Sequence, residues 1–484
     1  MNREFAALLD ECGRGEIEVR ADSRQVCPGD IFVAVPGVRE DGAQFIPAAA
    51  EAGAGVIVCR ADSEEAAAAA TAGCRVVHHA DPREALWRLA QARWHTDTLP
   101  IRIVGVTGTN GKTTCTYLLE RLFAQAGHKL GVMGTVSYRW PGHVEAAPLT
   151  TPDALSVHAM LAAMARDGVD VAVMEVSSHA IDQQRVCGVP FSGAAFTNLS
   201  QDHLDYHRDM ESYFQAKARL FLELPRADKS MAVNADDAWG RRLLELCPTA
   251  LSFGLQKGAP NRRHLWGELL SSTTAGCHLR MSLEDMQWEL RSPLVGAFNA
   301  SNLLAVQAVA LEMGIDPEAF KALESFTGVS GRLERVENPQ GLNVFVDYAH
   351  TPDALENVLK ALRDAGFERV ITVFGCGGNR DRSKRPIMGE AVARWSDVAV
   401  LTSDNPRFED PEAILKDVLP GLADAKEVVV EVDRREATTR ALGMLGKKDA
   451  LLIAGKGHED YQIIQGVKHH YSDQEVVREI LRCA

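Results

Sequence analysis

The sequence predicts an α/β protein of three domains, with parallel sheets in the second and third. Three observations carry that expectation. At 484 residues the chain is too long for a single hydrophobic core, since domains cluster at roughly 100–200 residues. Short, near-continuously apolar runs alternate with helix-patterned stretches, as parallel strands covered on both faces require. The runs richest in Gly, Asp, Asn, His and Arg follow such strands directly, at the carboxyl ends where open α/β sheets bind ligands.

The first domain is read over residues 1–98, where the β-type runs Ile31–Val35 and Gly55–Val58 accompany an alanine-rich helical stretch, Glu64–Ala70. Thr96-Asp97-Thr98-Leu99-Pro100 is polar and proline-bounded and reads as a linker. The second domain, 99–331, opens on the strand Ile101–Val104 and continues through strands at Val169–Met174 and Gly193–Phe196. It closes at the turn Gly328–Arg332, after the helical run Asn302–Val309. In 332–484 the alternation begins afresh, with strands at Asn343–Val346, Val370–Phe374, Val398–Leu401, Val428–Val432 and Leu451–Ala454.

Composition excludes several classes. With 46% apolar and 24% charged residues the chain has the usage of a packed soluble protein, not of a disordered or fibrous one. Its 52 Lys+Arg against 66 Asp+Glu give a net charge of −14, which disfavours a nucleic-acid partner. No run reaches the 18 or so apolar residues of a membrane span. The start, Met1-Asn2-Arg3-Glu4-Phe5, meets Asp10 and Glu11 instead of a signal-peptide core, so a cytoplasmic protein is expected. The ten cysteines include no C-x-x-C pair, which leaves no zinc ribbon or dithiol site and predicts buried, reduced thiols.

The strongest local signal is Gly105-Val106-Thr107-Gly108-Thr109-Asn110-Gly111-Lys112-Thr113-Thr114, between a strand and a helix that runs to Gln125 and stops at Gly127. Backbone N–H groups of such a turn, with a helix N-terminus behind them, cradle phosphates. Lys112 reaches the terminal phosphates and Thr113 offers a hydroxyl to Mg²⁺. The loop departs from G-x-x-x-x-G-K-[ST] in carrying Val106 where that pattern has glycine. Glu175, at the end of a buried strand, and His203, in Asp202-His203-Leu204-Asp205-Tyr206-His207, are metal candidates, with a solvated loop residue as the alternative for each. Asp347–Pro352, Gly375–Arg382 and Ser403–Arg407 each follow a strand. The Gly375 run fails G-x-G-x-x-G because Arg380 stands at its last glycine, and no G-x-S-x-G or H-E-x-x-H occurs.

These motifs together resemble the Mur ligases, the ATP-dependent amide-forming enzymes of peptidoglycan precursor synthesis. Thr107–Thr114, Glu175-Val176-Ser177-Ser178-His179, Asp202–His207, Asn299-Ala300-Ser301-Asn302, Gly331-Arg332-Leu333-Glu334 and Asp347-Tyr348-Ala349-His350 stand in the family's order. The resemblance covers essentially the whole chain. It implies an N-terminal uridine-nucleotide domain, a central P-loop ATPase-like domain and a C-terminal Rossmann-like domain. Glu175–His179 with Asp404-Asn405-Pro406-Arg407 looks like the member that joins meso-diaminopimelate to UDP-MurNAc-L-Ala-D-Glu, giving the UDP-tripeptide, ADP and phosphate.

The resemblance also implies roles. Gly108, Thr109, Asn110, Gly111, Lys112, Thr113 and Thr114 match the ATP loop, Asn299 and Asn302 adenine contacts, and Arg332 and Asp347 nucleotide contacts from the third domain. Thr113, Glu175, His203 and Lys217, the last as a carbamate, match Mg²⁺ ligands, and Lys112, Glu175, His203 and Lys217 match the catalytic set. Without the resemblance Lys217 reads as a solvent-facing helix lysine. Ser23, Thr150, Thr151, Ser177, Gln183 and Arg185 match UDP-dipeptide contacts. Val38-Arg39-Glu40 stands where relatives often have His-Gln-Ala, and Ala21 where Leu is common. Arg380, Asp404, Asn405, Pro406, Arg407, Gly455 and Glu459 match the diaminopimelate site, where a guanidinium holds the carboxylate that lysine lacks. A monomer is expected. A folylpolyglutamate-synthase-like ligase and a nucleotide-dependent scaffold are the competing readings. The long N-terminal domain and Asp404–Arg407 weigh against the first, and the complete catalytic set weighs against the second.

Overall fold

The computed structural model describes residues 3–15, 17–37, 40–259 and 262–483. The chain divides into two compact units, one of Met1–Thr107, Gly127–Ala194 and Ala216–Ser230 and the other of Gly108–Ala126, Ala195–Gln215 and Met231–Ala484.

The first unit begins with a four-stranded parallel sheet, Val19–Arg20, Ile31–Val33, Val56–Cys59 and Arg75–His78 in chain order. Because successive strand residues face opposite sides, Ile31, Val33, Val56 and Val58 pack with Phe5, Leu8 and Leu89. Phe32, Ile57 and Cys59 pack with Ile46 and Ala49 on the other face. Further on, Arg102–Thr107 pairs in parallel with Val171–Glu175, which pairs with Leu130–Met133. The register sets Val106 opposite Glu175 and so delivers that carboxylate at a strand end. Within the segment Thr96–Pro100, Asp97, Thr98 and Pro100 are exposed, whereas Thr96 is fully buried, with Oγ1 2.5 Å from His158 Nδ1.

In the second unit the helix Lys112–Gln125 is followed in space by the helix Ala297–Glu312, which is buried along most of its length. Sequence reading expected parallel strands in this region, but His264–Thr273, Gly276–Leu283 and Met286–Ser292 form an antiparallel meander. Buried and half-buried residues alternate along Cys277–Leu283, the pattern of a sheet with one face toward the core.

The last part of this unit carries the order Glu334–Arg335, Asn343–Asp347, Ala450–Ala454, Val370–Phe374, Val398–Leu401, Val428–Val430. All but the first pair in parallel. Five strands therefore end on one edge, and Asp347–His350, Gly375–Arg382, Ser403–Arg407 and Gly455–Glu459 follow four of them. Thr351 caps the helix Pro352–Asp364 by accepting from the Ala354 N–H, and Pro352 presets its first turn. The helices Arg434–Gly443 and Asp473–Cys483 are joined by Arg434 and Asp473, both fully buried and paired at 2.8 and 2.9 Å.

The nine cysteines with described side chains are free. They are buried except Cys27, which is exposed and corrects the expectation of buried thiols throughout. No described helix is long and apolar enough to cross a membrane. Removing one partner of a buried pair leaves a charge uncompensated. Arg434→Met is therefore expected to lower stability by about 3–5 kcal/mol in urea unfolding, while Arg434→Met with Asp473→Leu recovers most of that loss.

Candidate active site

In the second unit the phosphate loop is held from both sides. A Cβ at Gly108 would overlap Thr197 Oγ1, and one at Gly111, whose φ is 88°, would overlap Asn302 Oδ1. Only glycine lets these neighbours come so close. Asn198 Oδ1 accepts from the Asn110 N–H at 2.9 Å, and Thr197 Oγ1 donates to Asn110 O at 2.6 Å. Lys112 Nζ donates to Gly108 O and Thr109 O at 2.9 and 2.8 Å, folding the ammonium back over its own loop. Thr113 and Thr114 are buried.

Residues from the third sheet reach this loop. Asn110 Nδ2 donates to Asp353 Oδ2 at 2.7 Å, and Arg332 Nη2 donates to Thr113 Oγ1 at 2.9 Å while its guanidinium lies 4.6 Å from the Tyr348 ring centroid. Asp347 accepts from the Leu333 and Ala349 N–H groups at 2.5 and 2.6 Å. Burial pushes its carboxyl up to about 6, against the lowering effect of Arg332. Asn302 Nδ2 donates to Asn299 Oδ1 at 3.2 Å, and Asn299 lines a cavity of about 720 Å³ with Thr327, Arg332, Asn338 and Phe345. Asn299 is thus placed at a cavity, whereas Asn302 braces the loop.

Asp202 is buried, 3.3 Å from Lys384 Nζ, 3.4 Å from His203 Nε2 and 3.8 Å from His350 Nε2. Burial raises its pKa, but His203, Lys384 and His350 outweigh that and hold it well below the ordinary range. Burial and Lys384 push the His350 imidazole down, so it is neutral at pH 7.

The Asp404–Arg407 run is fixed by two neighbours. Asn405 O accepts from the Gly378 N–H at 2.9 Å, and the Arg407 N–H donates to Ile463 O at 3.0 Å. Arg407 Nη1 donates to Gly378 O at 2.8 Å. Asn405 Nδ2 donates to Glu459 Oε2 at 2.9 Å. Burial and the neighbouring Arg380 lower the Arg407 pKa, so two guanidinium groups repel each other here. Pro406 and Gly455 are buried and Arg380 is exposed.

The first unit holds a separate network. Glu175 accepts from the Thr135 N–H at 2.8 Å and from Thr135 Oγ1 at 2.9 Å, and Thr135 Oγ1 lies 3.1 Å from Thr150 Oγ1. Thr151 Oγ1 donates to Glu175 O at 2.8 Å and accepts from the Ser177 N–H at 3.0 Å. Arg185 donates to Thr151 O at 3.2 Å and to Gln183 Oε1 at 2.6 Å. The structure thus joins Thr150, Thr151, Ser177, Gln183 and Arg185, while Ser23 lies apart in the short turn Ser23–Gln25. Val38 and Arg39 lie outside the described residues. Lys217, on the helix Met210–Leu222, is only 1% exposed, which corrects the solvent-facing reading. Of the proposed metal ligands, Thr113 and His203 belong to the second unit and Glu175 and Lys217 to the first. Among the described residues no three His, Cys, Asp or Glu side chains cluster as a metal site.

Three family descriptions match the chain. "Mur ligase family, catalytic domain" covers residues 18–94, "Mur ligase middle domain" 106–310 and "Mur ligase, glutamate ligase domain" 331–457. The chain belongs to the Mur ligase family. It is an ATP-dependent ligase with the family's three-domain α/β fold. It is 55% identical to the UDP-N-acetylmuramoyl-L-alanyl-D-glutamate–2,6-diaminopimelate ligase of Lawsonia intracellularis over 100% of both chains. It is 47% identical to the enzyme of that name from Gloeobacter violaceus, over 95% of this chain and 92% of the relative. A solved structure of a ligase of the same name superposes with a TM-score of 0.67 at 33% identity, covering 96% of this chain and 94% of that one.

Several polar residues of this Mur ligase escaped the sequence reading. Asp353 and Lys384 sit in the first turns of helices that follow singled-out runs, and Thr135 follows the strand Leu130–Met133, so adjacency to a strand end was an available signal. Asn198 carried no signal beyond following the strand Phe191–Phe196.

The raised pKa of Asp347 has a definite pH consequence. An unfolded aspartate ionises near 4, so the folded protein prefers the acid form. The resulting stabilisation is complete below pH 4 and is lost as pH rises through about 6. Relative to Asp347→Asn, the wild type is expected to lose on the order of 3 kcal/mol between pH 4 and pH 7. Melting curves of both proteins across that range check this, and a constant difference contradicts it.

Proposed function

We propose that this Mur ligase adds meso-2,6-diaminopimelate to UDP-MurNAc-L-Ala-D-Glu at the expense of ATP, through an acyl phosphate. The observation that carries the amino-acid choice is the paired guanidinium groups of Arg380 and Arg407, whose mutual repulsion an anionic group relieves. Diaminopimelate brings a distal carboxylate to them and lysine brings none. A planar guanidinium binds a carboxylate through two parallel hydrogen bonds. The names carried by the relatives support the same choice.

The phosphate loop binds ATP, with Gly108–Thr114 on the phosphates, Asn299, Asn302, Arg332 and Asp347 on the nucleoside side, and Lys112 neutralising the γ-phosphate. A side-chain carboxylate oxygen of D-Glu attacks the γ-phosphorus, and the bond from phosphorus to the β,γ-bridging oxygen breaks with ADP as leaving group. The amine of diaminopimelate then attacks the acyl carbon, phosphate leaves and the ammonium proton is lost to solvent. Activation is needed because a carboxylate is a poor electrophile. Thr151, Ser177, Gln183 and Arg185, with Ser23 and Thr150, bind the UDP-dipeptide. Asn405, Pro406, Asp404, Gly455 and Glu459 complete the amino-acid site.

In the first unit the Glu175 carboxylate and a carbamate at Lys217 offer the oxygen ligands that Mg²⁺ prefers, and in the second unit the Thr113 hydroxyl does, whereas the His203 imidazole suits Mg²⁺ less well. Glu175 is buried with neutral Thr135 donors on both oxygens, and a buried lysine gains from conversion to an anion beside a cation. Bound Mg²⁺ supplies positive charge to the phosphates. The reaction is placed in the cytoplasm, with the chain acting as a monomer in cell-wall precursor synthesis.

The test is an amino-acid panel with ATP and UDP-MurNAc-L-Ala-D-Glu, scored for tripeptide. Diaminopimelate is expected to exceed L-lysine by on the order of 10⁴ in kcat/KM, since lysine brings no distal carboxylate to the guanidinium groups of Arg380 and Arg407. Equal turnover with lysine overturns the reading. Lys112→Ala is expected to lower kcat by about 10²–10³ or more, because it removes charge from the transferring phosphoryl group. Retained activity in single-turnover phosphate release contradicts that role.

A further inference from the structure

Lys456 has no part in the roles assigned so far, yet it is fully buried at the centre of the amino-acid site. It follows the strand Ala450–Ala454, and its ammonium lies 3.2 Å from Asn405 Oδ1, 3.5 Å from Glu459 Oε2 and 3.7 Å from Asp404 Oδ1. The Tyr461 ring centroid is 5.8 Å away. A Cβ at the preceding Gly455 would stand 2.6 Å from Asp404 Oδ2, so the strand end is packed directly on the carboxylate that Lys456 faces. Burying an ammonium is costly, and it is tolerated where opposite charge and hydrogen bonds surround it. Here the surrounding groups are the ones proposed to select the substrate.

The Asn405 amide takes its direction from this arrangement. Its Oδ1 accepts from Lys456 Nζ and from the Ile463 N–H at 2.9 Å, which leaves Nδ2 to donate to Glu459 Oε2. Without Lys456 the carboxylates of Asp404 and Glu459 lose the ammonium that lies within 3.7 Å of both. Burial and Asp404 already push the Glu459 carboxyl up, and Lys456 acts against both. The charged and titratable groups facing Glu459 are Asp404, Arg407, Lys456, Tyr348 and Tyr461.

We propose that Lys456 is a positioning residue for amino-acid selection: it neutralises Asp404 and Glu459 and fixes the Asn405 amide, so that Glu459 stays an anionic acceptor for an ammonium group of the incoming diaminopimelate. The inference rests on the diaminopimelate reading above.

Steady-state kinetics of the full-length enzyme tests it. Lys456→Met is expected to raise KM for diaminopimelate about tenfold, to leave KM for ATP and for the UDP-dipeptide within about twofold, and to move the acid limb of kcat/KM for diaminopimelate up by about one pH unit. Lys456→Gln keeps a donor for Asn405 without the charge. It is expected to move the acid limb equally with a smaller rise in KM, and it serves where the methionine variant does not fold. In a Glu459→Gln background, adding Lys456→Met leaves the acid limb in place. A wild type that does not turn over diaminopimelate overturns both readings. An active wild type whose variants raise all three KM values together, or leave the acid limb unmoved, overturns the role of Lys456 alone.

Discussion

The close approach of Thr197 and Asn302 to Gly108 and Gly111 is the constraint on which the nucleotide end depends. With side chains excluded at both glycines, Asn198 and Thr197 bind the loop backbone at Asn110 and brace the loop in this conformation. Such preorganisation spares the loop an ordering cost when phosphate binds. It also leaves the non-glycine positions to report outward. Asn110 meets Asp353 and Thr113 meets Arg332, so residues of the last sheet bear on the same short segment that the glycines have made rigid.

Buried charge follows one logic in this unit. Asp202 is surrounded by Lys384, His203 and His350, Lys456 by Asp404 and Glu459, and Arg434 by Asp473. Each costs desolvation that hydrophobic side chains of similar size would avoid. The Arg434–Asp473 pair joins two helices and also reaches the end of a sheet strand, since Arg434 Nη2 donates to Ala454 O at 2.9 Å. The other two lie at strand carboxyl ends and hold acceptors and donors in place, where a hydrophobic substitute has nothing to offer a polar substrate. The net charge of −14 is therefore no guide to the site, whose fields are set locally by Lys112, Arg332, Arg380 and Arg407.

The five parallel strands of the last sheet were legible to within two residues at their ends, because parallel strands buried on both faces write continuous apolar runs, whereas the antiparallel Glu334–Arg335 was not read. The phosphate loop was legible because its glycines and Lys112 stand together in sequence. The meander His264–Ser292 was not read, since its alternating pattern gains meaning only once the partner strand is known. The burial of Thr96 and Lys217 was not legible for a related reason: a polar side chain on a polar stretch gives no sign that distant residues will bury it. Lys456 stood between two residues that the family resemblance did single out, Gly455 and Glu459. Its importance depends on Asp404 and Asn405, some fifty positions earlier, and no local pattern encodes that pairing.

Backbone strain gives independent support to the amino-acid end of the site. Arg407 has φ 54° and Asn379 φ 52°, a left-handed conformation that costs a side-chain-bearing residue about 1–2 kcal/mol. Arg407 is held there by its N–H on Ile463 O and by its own carbonyl, which accepts from the Gln465 N–H at 2.6 Å. Asn379 is held by its N–H on Glu409 and by its side chain on the Phe408 N–H. Glu409 is in turn fixed by the buried Arg385 at 3.0 Å. Strain that several bonds maintain persists where relaxing it would move something that matters. What would move here is the Arg407 guanidinium relative to Gly378, and with it the geometry that an incoming carboxylate must meet.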